Sequence, residues 1–257
     1  MPKETKSVAK RGEADLPIAL DQLEGMSGQG FEDSDKDAYA IPFLRLLQGL
    51  SPQVNEDDPD VYIQGAKPGM FFNTITGALF GKSINVIPVH YMRDFVEWKP
   101  NRGGFVKSHG PDPSILDRIT EIDEKNNSIL DNGNIIQDSR NHYILIEGHL
   151  DKGPIIFGLS SSGIKHSRKW MTFMNALKLP GSDKTAPMFA GVWNLASVLN
   201  KNDDGTWYQI GDKTKTAVEF QRWVTQEELE AAVAARKLIT SGAAKADYAG
   251  QDDDLPF

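Results

Sequence analysis

The chain has 257 residues, no cysteine, 39% apolar side chains and a formal net charge of −8 at pH 7. This apolar content is enough for a hydrophobic core, so the chain is not wholly disordered. The lack of cysteine excludes disulfides, thiolate catalysis and cysteine-type zinc sites, and it favours an intracellular compartment. The start has no apolar secretion segment and no apolar run reaches membrane-spanning length, so we expect a cytoplasmic protein with no membrane association.

The acidic charge is concentrated at the two ends of the chain. Residues 1–38 hold five Lys or Arg against nine Asp or Glu, and residues 225–257 hold three against seven. Residues 39–224 hold twenty of each kind and are neutral. Local basic clusters in this neutral part can still attract an anionic partner.

Two regions differ sharply in pattern. Residues 1–38 are rich in Gly, Ser, Asp and Glu with few apolar residues, which predicts a disordered N-terminal arm. From Tyr39 to Val224, runs rich in Val, Ile, Phe, Tyr and Trp alternate with turn residues, which predicts a mainly antiparallel β body with few helices. The predicted strands are 70–76, 84–98, 142–150, 154–159, 188–199, 206–210 and 214–224.

Three helices are predicted from capping and periodicity. Asp112 and Pro113 form an N-cap followed by a first-turn proline, which indicates a short helix. Residues 162–179 have amphipathic spacing. A capping box opens a third helix over 225–241, after which the Ala- and Gly-rich start of residues 242–257 predicts a flexible acidic tail.

The last six residues combine three carboxylates with an apolar end, Asp252-Asp253-Asp254-Leu255-Pro256-Phe257. This end closely resembles the acidic C-terminal tip of single-stranded DNA-binding proteins from bacteria and their phages. The body resembles a phage-encoded family of such proteins through residues 68–73 and 95–98. The resemblance implies an OB-like β-barrel body with insertions that binds single-stranded DNA, and a tip that recruits replication and repair enzymes. The alternative for the tip is an acidic terminus that serves only solubility, but an exposed apolar end adds nothing to solubility.

Single-stranded nucleic acid is bound by cations that contact phosphates and by aromatic rings on which bases stack. Three segments offer such side chains: the strand 84–98, whose period-two alternation gives one face both rings and cations, the basic loop after it, and the cationic side of helix 162–179. We predict phosphate contacts from Arg93, Lys99, Arg102, Lys107, Lys165, Arg168 and Lys169. Bases are predicted to stack on some of Tyr91, Phe95, Trp98 and Phe105.

Each segment also has a plainer structural interpretation. The rings of strand 84–98 face the core in this alternative, and the basic loop is an ordinary hairpin tip. In the helix, Trp170 and Phe173 are spaced so that they fall on the apolar face, which predicts packing instead of base stacking.

Enzymatic interpretations have weaker support. Residues 77–83 come close to a phosphate-binding P-loop, but the first glycine is one residue too close and a strand follows where the phosphate site needs a helix. The five histidines show no metal-ligand spacing. We therefore predict a non-enzymatic protein, without metal or cofactor, that coats single-stranded DNA in replication or recombination. Two alternatives stay open: a protein-only adaptor of a replication complex, and a metal-dependent nuclease that uses the acidic clusters at 57–60 and 117–124.

Overall fold

The structure is a computed structural model, and it describes residues 26, 29, 40–203, 205–242, 245, 246 and 248. The chain divides into two units, residues 1–35 and 36–257. In the first unit, Gln29 N donates to Met26 O at 3.1 Å in a turn, and the rest of the predicted arm lies outside the described residues. All elements named below belong to the second unit.

The second unit is mainly β, which confirms the predicted fold class. Its strands are β1 (Ala40–Ile41), β2 (Phe43–Leu46), β3 (Phe71–Asn73), β4 (Leu79–Gly81), β5 (Ser83–Trp98), β6 (Phe105–Ser108), β7 (Ile119–Ile122), β8 (Ser128–Leu130), β9 (Ile135–Ile146), β10 (Ile155–Ser160), β11 (Gly191–Ala196), β12 (Val198–Asn202), β13 (Gly205–Gln209), β14 (Val218–Trp223) and β15 (Lys245–Ala246). Its α-helices are α1 (Ile164–Ala176) and α2 (Gln226–Thr240).

Eleven of the described strands form one sheet that curls into a half-barrel. Its main path runs β14-β11-β5-β9-β10-β2-β3-β4, with β6 added to β5 and the β7–β8 hairpin added to β9. Neighbours are antiparallel except for the parallel pair β10 and β2. The long central strands β5 and β9 shift register between Pro88 and His90. A proline is tolerated inside a strand at such an irregularity because it has no N–H to donate.

The β5–β9 ladder has two faces because successive strand residues point to opposite sides. We call face A the side with Tyr91, Arg93, Phe95 and Glu97 of β5 and with Asp138, Arg140 and His142 of β9. Face B is the side with Met92, Asp94, Val96 and Trp98 of β5 and with Ser139, Asn141 and Tyr143 of β9.

Both faces are covered by other elements. At one end of face A, Trp170 and Met174 of α1 join a core cluster with Ile144 and Phe157. At the other end, the 3-10 helix Pro113–Arg118 and β8 cover a second cluster around Phe95 and Ile136. Face B packs against α2 through Ala232 and Ala235 and against Tyr248. The core therefore lies on both sides of the central strands.

Two of the three predicted helix starts are confirmed by their capping contacts. Thr225 Oγ1 accepts from Glu228 N at 3.3 Å and Glu228 Oε2 accepts from Thr225 N at 2.8 Å, which completes the capping box of α2. Asp112 Oδ1 accepts from Ser114 N at 2.9 Å, although the helix it opens is a 3-10 helix. Helix α1 is shorter than the predicted span 162–179 at both ends: the 3-10 turn Ser161–Gly163 precedes it, and it ends at Ala176.

The start of the predicted flexible tail differs in the structure. Lys245–Ala246 pairs in parallel with Ala40–Ile41, and Tyr248 is only 7% exposed. Lys245, Ala246 and Tyr248 are therefore held on the body, by strand pairing and by the buried partners of the Tyr248 ring on face B. The predicted tip, Asp252 to Phe257, lies outside the described residues. No helix in the part of the chain that the structure describes is long and apolar enough to cross a membrane.

Candidate nucleic-acid interface

Two of the rings predicted to stack bases are part of the core. Phe95 is 0% exposed and Trp98 is 2% exposed. Phe95 lies on face A with Ile115 and Leu130, whereas Trp98 lies on face B with Ile135. Because both faces of β5 are covered there, neither ring can contact a base without unfolding, and this part of the predicted site is corrected.

Tyr91 and Arg93 lie in the middle of face A, between α1 and the 3-10 helix that cover its ends, and both are partly exposed. Arg93 Nε and Nη2 donate to Asp138 Oδ1 and Oδ2 at 3.0 and 2.8 Å. Arg140 Nη2 donates to the same Oδ2 at 2.9 Å, and Arg140 Nη1 donates to Tyr91 OH at 3.2 Å. Two guanidinium groups thus share one carboxylate, which leaves this surface with one surplus positive charge.

His142 borders this surface but adds no charge to it. Its ring stacks on Trp170 with centroids 4.5 Å apart and lies 5.1 Å from the ring of Tyr91. Its Nε2 is 2.8 Å from Ser167 Oγ. Complete burial lowers the pKa of His142 to about 3, so the imidazole is neutral at physiological pH.

The predicted basic loop after β5, which the structure shows to include strand β6, is only partly available to a ligand. Lys99 and Lys107 are exposed, whereas Arg102 and Phe105 are partly buried. Burial lowers the pKa of Arg102, and Asp123 raises it by a smaller amount. The Phe105 ring lies 6.0 Å from that of Trp98. Of the predicted loop contacts, Lys99 and Lys107 are therefore the exposed cations.

Helix α1 presents cations and a ring to solvent. Arg168 and Lys169 are exposed and Lys165 is half-buried. Lys169 Nζ also donates to Thr214 O at 3.3 Å. Trp170 is 0% exposed, as predicted for packing, but Phe173 is 43% exposed, and the prediction that it packs inward is wrong. Phe173 follows Lys169 by one helical turn, so it lies on the cationic side of the helix.

The surroundings of α1 contain no carboxylate over a long stretch. No Asp or Glu occurs from Lys152 to Ser182. His166, beneath the lysines, is 2.9 Å from Thr216 Oγ1 through Nδ1. Burial first, then Lys165 and Lys169, lower the pKa of His166 to about 4. The positive charge of α1 therefore comes from its arginine and lysines.

Glu97 on face A holds several segments together. Its Oε1 accepts from Asn132 Nδ2 at 2.9 Å and Asn134 Nδ2 at 2.6 Å, and its Oε2 is 2.7 Å from His109 Nε2. Burial alone would raise the pKa of Glu97, but the hydrogen bonds from Asn134, Asn132 and His109 lower it to about 2. Glu97 is thus an ionised structural carboxylate.

Two features bear on the enzymatic interpretations: the glycines of residues 77–83 and the side chains that could hold a metal ion. Gly77 precedes β4 and Gly81 ends it, and their φ angles of 67° and 77° lie in a region that favours glycine, which explains both glycines without a phosphate site. Among the residues that the structure describes, no group of three His, Cys, Asp or Glu side chains could hold a metal ion.

Residues 9–245 match the model of the family described as Pam3 phage gp34-like protein. The chain belongs to this family. No curated protein and no solved structure matches the chain. The family agrees with the predicted phage origin, and its description names no activity, so single-stranded DNA binding stays a prediction.

Sequence reasoning missed a buried polar network on face B of this gp34-like chain. Asp94, which is 1% exposed, accepts from Ser108 Oγ at 2.7 Å, from Gly110 N at 3.0 Å and from Tyr248 OH at 2.5 Å. Asn141 Nδ2 donates to Tyr248 OH at 2.6 Å. Two signals were available: an Asp inside an apolar strand, and a lone aromatic residue in the Ala- and Gly-rich segment after α2.

Proposed function

We propose that this phage protein binds single-stranded DNA with little sequence preference in replication or recombination, and that its C-terminal tip recruits partner enzymes. The exposed side of α1 carries the proposal. Arg168, Lys169 and Phe173 lie there within two helical turns, in a stretch without carboxylates. Cations for phosphates together with a ring for base stacking are what binding of an unpaired strand requires.

Other exposed groups support the same function. Lys99, which directly follows β5, and Lys107 of β6 supply two further cations, and Arg93 and Arg140 leave a surplus positive charge beside the Tyr91 ring. In the proposed complex the exposed cations contact phosphates, and Phe173 and Tyr91 stack bases at about 1–3 kcal/mol each. Phe95 and Trp98 take no part because they are buried.

Fluorescence anisotropy with labelled oligo-dT tests the proposal. We expect the logarithm of the binding constant to fall linearly with the logarithm of salt concentration, by roughly 0.7 for each phosphate contacted. Duplex DNA of the same length should bind more weakly, because its bases are not available for stacking. Negligible binding of oligo-dT at low salt would contradict the proposal and favour the protein-only adaptor, and cleavage of DNA with magnesium or manganese would favour the nuclease.

A matched pair of charge reversals locates the site in the same assay. The double variant Arg168→Glu and Lys169→Glu should weaken oligo-dT binding and lower the salt slope by roughly 1.4, because two phosphate contacts are lost. Arg236→Glu with Lys237→Glu is the control: it reverses an adjacent, exposed Arg-Lys pair on α2 and makes the same change in net charge. Equal loss of affinity in both variants would indicate a general charge effect and not a site on α1.

The role proposed for the tip rests on its resemblance to the tips of single-stranded DNA-binding proteins. Deleting residues 252–257 should abolish co-precipitation of a purified host replication enzyme, such as primase, while oligo-dT binding persists. Replacing only Asp252, Asp253 and Asp254 with Asn separates the charge from the apolar end. Unchanged co-precipitation with a panel of polymerase, primase, helicase and nuclease after the deletion would remove the tip from the proposal.

A further inference from the structure

Tyr248 is bound on face B in the manner of an aromatic ligand. Its ring is stacked on the ring of Phe105, with centroids 5.4 Å apart and planes 9° from parallel. The Phe43 ring lies 5.4 Å away on a tilted plane. With 7% of its surface exposed, Tyr248 is surrounded as completely as a residue of the core, although the chain reaches it only after α2 has ended.

The polar end of the Tyr248 ring meets an acceptor and a donor. Its hydroxyl donates to Asp94 Oδ2 at 2.5 Å and accepts from Asn141 Nδ2 at 2.6 Å. Asn141 Oδ1 in turn accepts from Ser139 Oγ at 2.8 Å, which fixes the orientation of the amide. Burial, and then the nearby Asp94 carboxylate, raise the pKa of Tyr248, so the hydroxyl keeps the proton that it donates.

Four side chains around Tyr248 match the chemistry by which proteins hold an unpaired base: those of Phe43, Asp94, Phe105 and Asn141. A base taken out of its stack is held by an aromatic ring against its face and by hydrogen bonds to its Watson–Crick edge. That edge presents donors and acceptors side by side, as do Asp94 and Asn141. A phenol offers the same combination of flat ring and polar end, which makes Tyr248 a good occupant of a base site.

The backbone pairing beside Tyr248 is short. Strand β15 has two residues and pairs with the equally short β1, and a strand pair of this length is marginally stable. Such segments open locally at low cost in free energy. The exposed Lys99 and Lys107 stand on either side of Phe105 in the chain, where they can meet the phosphates that flank a bound base.

We infer that the pocket formed by Phe43, Asp94, Phe105 and Asn141 is a binding site for an unpaired nucleobase, which Tyr248 fills in the free protein and which single-stranded DNA enters by displacing Tyr248. The inference rests on the proposed single-stranded DNA binding. It adds a second contact region, on face B, to the exposed side of α1.

The pocket is tested without DNA by filling it with small molecules. In the Tyr248→Ala protein, p-cresol and deoxycytidine should both raise the melting temperature, since each occupies the vacated space and binds the folded state only. Neither should raise the melting temperature of the Tyr248→Ala, Asp94→Ala double variant, which lacks the acceptor. Stabilisation by p-cresol but by none of the four deoxynucleosides would show that the pocket does not bind nucleobases. This result would overturn the inference.

Oligo-dT binding then separates this inference from the proposed function. Tyr248→Ala should bind oligo-dT about tenfold more tightly than the wild type, because the base no longer competes with a ring, and adding Phe105→Ala should cancel the gain. If the wild type does not bind oligo-dT, the proposed function fails. If all three proteins bind it with the same affinity, the inference alone fails.

The wild-type protein provides a test that does not depend on the folding of a variant. Saturation with oligo-dT should speed hydrogen exchange at the backbone amides of Ala246 and Tyr248, because displacement frees their segment from the body. Exchange at Leu195 of β11, a fully buried core residue, should stay the same. Unchanged or slower exchange at Tyr248 in the complex would overturn the inference.

Discussion

Replacing Trp98 with Ala is expected to lower the free energy of unfolding by about 3–5 kcal/mol, the usual cost of removing a large buried aromatic side chain. Trp98 is 2% exposed and fills face B beside Val96 and Ile135, with Phe105 against its ring edge. The loss of stability has two sources: less apolar surface is buried on folding, and a cavity remains where the indole ring was. Urea denaturation followed by circular dichroism measures it.

Two further variants make this result specific. Trp98→Phe keeps most of the apolar volume and should cost much less than Trp98→Ala. Lys99→Ala changes the exposed neighbour and should stay within about 0.5 kcal/mol of the wild type. The folded fraction of Trp98→Ala should bind oligo-dT like the wild type. Normal stability combined with lost oligo-dT binding would restore Trp98 as a base-stacking residue.

Lowering the pH from 7 to about 3 is expected to remove several kcal/mol of stability, part of it through Glu97 and Glu228. Hydrogen bonds from Asn134, Asn132 and His109 outweigh burial and lower the pKa of Glu97 to about 2. The hydrogen bond from Arg222 lowers the pKa of Glu228 to about 2. Both side chains are almost fully buried, so little of this interaction is lost to screening by water.

The sign follows from proton binding. A carboxyl whose pKa is lower in the folded than in the unfolded state binds fewer protons when folded. Its contribution to stability is complete above the unfolded pKa, near 4.5, and is lost as the pH falls toward 2. A shift of this size corresponds to about 3 kcal/mol for each group.

Urea denaturation at pH 7, 5, 4 and 3 measures this dependence. Glu97→Gln and Glu228→Gln should each be less stable than the wild type at pH 7 and lose less stability below pH 5, because the titrating group is gone. Glu121→Gln, at an exposed position on β7, should follow the wild-type profile. Superimposable profiles for all four proteins would show that these carboxylates do not set the acid stability.

Two buried histidines also make the protein less stable as the pH falls, and their effect begins at a higher pH than that of the carboxylates. Burial lowers the pKa of His142 to about 3 and that of His166 to about 4, from an ordinary value of 6.5. Their contribution is therefore complete above pH 6.5 and is lost as the pH falls through the folded values. Stability should begin to fall before the carboxylates titrate, and the two Gln variants should retain this first part of the decline.

Local signals account for the parts of the fold that the sequence predicted well. The capping box at Thr225 and the N-cap at Asp112 each involve residues within one helical turn. The β content follows from β-branched and aromatic runs, which favour strands wherever they pack. The inward position of Trp170 follows from its helical spacing. Each of these depends on neighbours in the sequence.

The errors concern contacts between distant segments. Alternation in β5 shows which residues share a face, but the burial of Phe95 and Trp98 depends on α2, the 3-10 helix Pro113–Arg118 and β8, which cover the two faces. The position of Tyr248 depends on Asp94, which lies 154 residues earlier in the chain. No local pattern reports such a partner. The exposure of Phe173 likewise depends on what α1 packs against, which periodicity does not reveal.

The pairing of β1 with β15 also sets the order in which the molecule can be completed. Its two strands, Ala40–Ile41 and Lys245–Ala246, are neighbours in space but lie far apart in the sequence. During synthesis β1 leaves the ribosome more than 200 residues before β15 and cannot form this pairing until β15 has followed, and closing so long a loop is slow. Until then Phe43 and Asp94 lack Tyr248, and face B is unfinished. A prematurely terminated chain that ends within α2 would therefore keep this surface open and prone to aggregation.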